Sequence, residues 1–110
     1  MEKLAPAVHY KITFYVPESH LEIVKHALFD AGAGRQGDYD QACWQCLGQG
    51  QFRPLEGANP TIGTLQKLTF IPEYKVEMLC SADFLTAAIQ ALTTSHPYEE
   101  PAFDVIRLEN

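Results

Sequence analysis

His96, Tyr98, Glu99 and Glu100 fall in one short run, His-Pro-Tyr-Glu-Glu-Pro over 96–101, where Pro97 and Pro101 restrict the backbone. An imidazole that titrates near neutral pH, a phenol and two carboxylates can bind a divalent cation, move a proton or grip a polar ligand. In an extended segment Glu99 and Glu100 point opposite ways, while His96 and Tyr98 share a side with Glu100, so His96 and Glu100 can face one pocket. The alternative is that His96 caps helix carbonyls and the glutamates pair with lysine or arginine across a subunit contact. With one histidine, the run is short of the ligands an open metal site needs. Cys43 or Cys46, contributed by other subunits, would have to complete a set with His96 and Glu100.

A second segment stands out because all seven glycines lie between Gly32 and Gly63. Glycine marks backbone that takes positive φ or approaches something closely, so this is a region of shaped loops. Within it, Gln49–Ile62 carries Phe52, Arg53, Pro54, Asn59 and Pro60 without a regular pattern. Loops of this kind are commonly functional or flexible. Arg53 beside backbone N–H groups would make an anion clamp, and Asn59-Pro60 favours the start of a turn. The plainer reading is that Phe52 and Ile62 pin a hairpin onto a neighbouring subunit. The candidate ligand-binding residues are therefore Arg53, Asn59, His96, Tyr98 and Glu100; the candidate metal ligands are His96, Glu100, Cys43 and Cys46.

Two further motifs carry less. Gly32-Ala33-Gly34-Arg35-Gln36-Gly37 fits G-x-G-x-x-G, but it follows a helical pattern and leads into extended chain, the reverse of a dinucleotide site. Its glycines suit a helix C-terminus and a tight turn, where the dipole would repel phosphate. Cys43-Trp44-Gln45-Cys46 has redox or metal spacing, yet in a strand a separation of three places the two side chains on opposite faces. Buried thiols are the simpler reading, with Cys80 a core thiol at a strand end.

The elements that would position these residues follow from periodicity. Val8, Tyr10, Ile12, Phe14 and Val16 alternate with polar residues, which predicts a strand ended by Pro17. Ser19 with Glu22 fits a capping box, and Leu21, Val24, Ala27, Leu28 and Ala31 recur at helical spacing until Gly32. A second strand is placed at Tyr39–Leu47. Thr64–Ile71 and Glu73–Cys80 read as extended, with Pro72 a break or bulge between them. Ser81 caps a second helix through Leu85, Ala88, Ile89 and Leu92, Pro97 stops it, and Ala102–Leu108 forms the last strand. The order β-α-β-β-α-β is that of a ferredoxin-like α+β sandwich, with a long Gly/Pro-rich excursion between strands 2 and 3. Two helices would cover one sheet face. The other, carrying Thr13, Tyr15, Lys75, Leu79 and Ile106, mixes polar and apolar character.

The chain has 110 residues and 46% hydrophobic content, which suits a single domain over 1–110. A formal net charge of −6 argues against nucleic acid as a partner. No window approaches the roughly 20 apolar residues of a membrane span, and Met1–Pro6 lacks the order of a signal peptide, so a cytoplasmic location is expected. Three cysteines suit free thiols in a reducing compartment.

The residues 32–39, 48–54, 57–63 and 96–101 resemble the YqfO-type insert domain of the NIF-three family, which also occurs as a free-standing small protein. The resemblance runs from about Val16 to Asp104 and departs near Thr64–Lys67, where another glycine is expected. That domain is similar to the CutA and PII folds, which assemble as trimers, so the resemblance implies a homotrimer. It also implies that the family's two-metal site, carried by flanking halves, is missing, and that the GTP cyclohydrolase label does not transfer. The expected function is a non-enzymatic trimeric module that senses a small molecule or binds a protein partner. The rivals are a divalent-metal-binding protein and a small hydrolase, each with its site at a subunit boundary.

Overall fold

In the computed structural model, which describes residues 8–109, β1 (His9–Val16) leads through a short 3-10 turn at Glu18–His20 into α1 (Leu21–Asp30). β2 (Trp44–Phe52), β3 (Thr69–Ser81), α2 (Ala82–Ser95) and β4 (Phe103–Arg107) follow. The sheet is antiparallel in the order β2-β3-β1-β4, the ferredoxin-like arrangement expected from the element order. The reading of Met1–Pro6 lies outside the described residues.

Alternation in β1 sends Ile12, Phe14 and Val16 to the helix side, where they meet Val76, Met78 and Cys80 of β3. Leu21, Val24 and Leu28 of α1 and Ala88 and Leu92 of α2 close this layer. The helices therefore exist because their 3.6-residue stripe has one sheet face to bury. Gly32 ends α1 in a Schellman arrangement: its N–H donates to Phe29 O at 3.0 Å and that of Ala33 to Leu28 O at 3.0 Å, with φ +110° at Gly32. A β-carbon there would also meet the Phe84 ring of α2 at 2.6 Å, so glycine serves both the turn and the close approach of the helices.

Several readings from the sequence differ from the structure, and β3 starts at Thr69 rather than Thr64, with Gln66 in a turn at φ +65°. The second strand starts at Trp44 rather than Tyr39 and runs to Phe52 rather than Leu47. Gln41 takes a left-handed φ of +54°, and Gln36 and Tyr39 close a small bridge, so the chain turns where an extended run was expected. Pro72 does not break β3. β1 ends its pairing at Val16↔Tyr74, so at Pro72 the strand has only β2 beside it, opposite Gln49, and the absent donor costs no ladder bond. Ser19 does not cap α1: it lies in the 3-10 turn, its hydroxyl 2.9 Å from His20 Nδ1, and the N-cap is His20. Ser81 does occupy the N-cap of α2, though without a side-chain cap bond.

β2 and β3 continue past the helices as a two-stranded ribbon, and the molecule measures 62 × 24 × 21 Å. Its radius of gyration is 16.0 Å, against about 13 Å for a compact chain of similar size. The sheet face away from the helices carries Lys11, Thr13, Leu79, Glu77, Trp44 and Ile106 by register. Glu77 sits 3.4 Å from both Lys11 and Lys75, while Trp44 and Ile106 are 57% and 56% exposed.

Candidate functional site

The β2–β3 connection folds back on the segment between α2 and β4. Thr61 Oγ1 donates to Pro97 O at 2.8 Å, and the Asn59 N–H donates to Glu99 Oε1 at 3.3 Å. The two segments whose composition the core does not explain thus meet within one chain. Between them lies a cavity of about 440 Å³ walled by residues of 51–62, by Glu73, and by Tyr98, Glu99, Glu100 and Ala102. That volume lies within the range of small-molecule sites.

His96 builds the wall without entering it. The residue is 6% exposed; its Nε2–H donates to Tyr15 O at 2.7 Å and its Nδ1 accepts the Tyr98 N–H at 3.1 Å. These partners define a neutral ring protonated on Nε2, and desolvation holds its pKa below the ordinary histidine value. Its partner is a strand-end carbonyl, not the helix carbonyls considered above. The imidazole joins the end of β1 to the start of the cavity segment, and its ring packs edge-on against Tyr98 at 4.8 Å.

Tyr98 forms a tilted pair with Phe52, with ring centroids 6.4 Å apart and planes at 49°. Its hydroxyl is buried without a hydrogen-bond partner of good geometry. Burial and the nearby Glu73 carboxylate push the phenol up to about 12. Burial also raises the Glu73 carboxyl above its ordinary value, partly offset by Tyr98. The Glu73 side chain crosses Gly50, where any β-carbon would collide with its carboxylate. Gly50 is therefore space left for this carboxylate inside a strand.

A raised carboxyl pKa means that the folded state binds a proton more readily than the open chain. The associated stability is present below the ordinary value of 4.5 and is lost as pH rises through the raised one. Glu73→Gln should therefore raise the melting temperature slightly at neutral pH and leave it unchanged near pH 4. Thermal melts across pH test this, and a neutral-pH loss would show that Glu73 makes a stabilising contact as an anion.

Of the residues expected at the site, Arg53, Tyr98 and Glu100 line the cavity, and Asn59 contributes through its backbone. Arg53 is exposed and has no ion pair among the described residues. Cys43 is elsewhere, partly buried against the core beside a hollow of about 200 Å³ with Arg35 and Trp44. Cys46 is exposed on β2, and both thiols are free. Among the described residues no group of three or more His, Cys, Asp or Glu is placed to hold a metal ion within one chain. Glu73 and Glu99 were missed. Glu73 reads as one of several polar positions of a strand until the register sets it beside Gly50, and bends over 97–100 replace the strict alternation that turned Glu99 away.

The sheet order and the two helices on one face define an α+β domain of the CutA and PII type. Two solved structures share this fold: CutA of Xylella fastidiosa (TM-score 0.67, 20% identity, 93% of this chain and 85% of that one) and Bacillus subtilis GlnK in an ATP complex (TM-score 0.60, 9% identity, 93% and 84%). By sequence the chain is a relative of the NIF3 family. It is 42% identical over 98 residues to a Mycobacterium leprae protein named GTP cyclohydrolase 1 type 2 homolog, covering 89% of this chain and 26% of the relative. A Halalkalibacterium halodurans protein of the same name is 40% identical over 113 residues, covering 100% and 30%. A Bacillus cereus protein related to NIF3 superposes with TM-score 0.83 at 36% identity, over 97% of this chain and 27% of that one. The chain thus spans under a third of the relatives it matches. No family model matches it.

Proposed function

We propose that this chain is a non-enzymatic, homotrimeric, cytoplasmic ligand-binding module whose site is the cavity between the β2–β3 connection and the Tyr98–Glu100 segment. The observation that carries the reading is the meeting of those two segments around a concave, partly aromatic wall. Loops displayed by a rigid sheet are where binding residues are commonly placed. Assembly is supported by the exposed Trp44 and Ile106 on the face that the helices leave open, and by the trimers that the CutA and PII resemblance implies. No described helix is long and apolar enough to cross a membrane.

Light scattering after size exclusion should give about three times the 12.3 kDa chain mass. A thermal-shift screen of small metabolites on the same sample should find stabilisers that lose their effect in Ala58→Trp, which fills the cavity whatever the ligand's charge. A monomer at micromolar concentration removes the trimer; a screen without Ala58-sensitive hits removes the binding site. The metal-binding alternative requires ligands combined from several subunits, and the metal content of tag-free protein tests it. The hydrolase alternative falls if a nucleotide panel with added zinc, manganese and magnesium shows no turnover.

A further inference from the structure

The cavity wall is biased in charge. Three acidic residues, Glu73, Glu99 and Glu100, line it against one basic residue, Arg53. Glu99 is partly engaged by the Asn59 N–H, whereas Glu73 and Glu100 have no ion pair among the described residues. The remaining wall is largely apolar, including Phe52, Pro54, Leu55 and Ile62. Phe52 and Tyr98, a tilted pair, put two aromatic rings in the wall, and such rings attract cations at their faces. Beside Glu73, the buried Tyr98 hydroxyl keeps unused hydrogen-bonding capacity. A bare metal ion would find no cluster of three ligating side chains here, and a phosphate or carboxylate ligand would meet three like charges.

We propose that the cavity takes a small organic cation, an amine carried on a compact apolar or aromatic body. The ammonium group lies against Glu73 and Tyr98 Oη, and the apolar body packs on Phe52, Pro54 and Ile62. The proposal rests on reading this cavity as the binding site. A bound cation favours the ionised form of Glu73, so binding strengthens as pH rises through the raised carboxyl pKa toward neutrality.

Titration calorimetry on the full chain with three ring-matched probes tests it: phenethylammonium, the neutral phenethyl alcohol and the anion phenylpropionate. Phenethylammonium should bind at least about tenfold more tightly than either other probe, the advantage of a charge-assisted hydrogen bond. Glu73→Gln should weaken it by about tenfold and Glu100→Gln by less, while melting temperature holds or rises. Equal or tighter binding of the alcohol or the anion overturns the proposal, as does unchanged phenethylammonium binding in the Glu73→Gln, Glu100→Gln double variant. Tighter anion binding would sink the cation class and leave the module reading standing. No saturable heat from any probe up to about 10 mM also overturns the cation class. The Ala58→Trp screen then decides the module reading separately.

Discussion

Replacing His96 with alanine should lower the melting temperature by roughly 10 °C or more at neutral pH, the counterpart of about 2–4 kcal/mol in a domain of this size. The substitution strands Tyr15 O and the Tyr98 N–H, both of which the imidazole now satisfies. The sequence leaves His96 open as a ligand or as a structural cap; its burial and its two bonds give it a structural role, with a strand-end carbonyl as partner. Asparagine separates the two bonds. Its side-chain oxygen can still accept the N–H two residues on, as Nδ1 does, but its amide cannot reach across to β1. His96→Asn should therefore be less damaging than alanine and more damaging than a surface change.

The pH dependence has a definite sign. A histidine whose folded pKa lies below 6.5 contributes stability that is present above that value and is lost as pH falls through the lower one. The gap between wild type and His96→Ala should therefore narrow on acidification below pH 6.5. Glu73 acts in the opposite direction but is shared by both proteins, so it cancels in the difference. A gap that stays constant from pH 7 to pH 5 would show that the ring is accessible to protons in the folded state.

Gly34→Ala should cost about 3–5 kcal/mol in urea unfolding, combining left-handed backbone strain with overpacking. Gly34 has φ +78°, and its β-carbon would lie 2.7 Å from the Phe29 ring and 3.1 Å from Ala42 O. The backbone cannot yield easily, because the Gly34 N–H donates to Leu79 O at 2.7 Å and its carbonyl accepts the Ala42 N–H at 2.8 Å, and the Phe29 ring is packed in the core. Gly37 is the control: φ is +57° and nothing lies within 4 Å, so Gly37→Ala should show only the backbone term of about 1–2 kcal/mol. Equal losses at the two positions would mean that the Phe29 contact relaxes and crowding contributes nothing.

β1 and the helices were legible in the sequence because a buried face writes its period into the residues, as Ile12, Phe14 and Val16 do for β1. β2 was not. Its side chains are mostly exposed and it contains Gly48 and Gly50, so no face of it repeats. The CutA-like and NIF3-related assignments stood on the glycine and proline loops, and the comparisons support them at the level of fold and relatedness. For the site, the sequence isolates the two segments but not their partner. Glu73 comes from a strand, and its place beside Gly50 depends on a register that only a three-dimensional pairing supplies.

The first strand of the sheet lies between the third and the last, with Tyr10 facing Cys80 on one side and Arg107 on the other. Its contacts therefore span nearly the whole chain, a topology that folds slowly because distant segments must meet before they are rewarded. The β2–β3 ribbon can zip from its own turn, but β1 must wait for chain made much later. The His96 bridge and the Tyr15 N–H bond to Ala102 O both anchor on β1. One wall of the cavity thus takes shape only as the sheet closes, and occupancy of that cavity would report a finished fold rather than an intermediate.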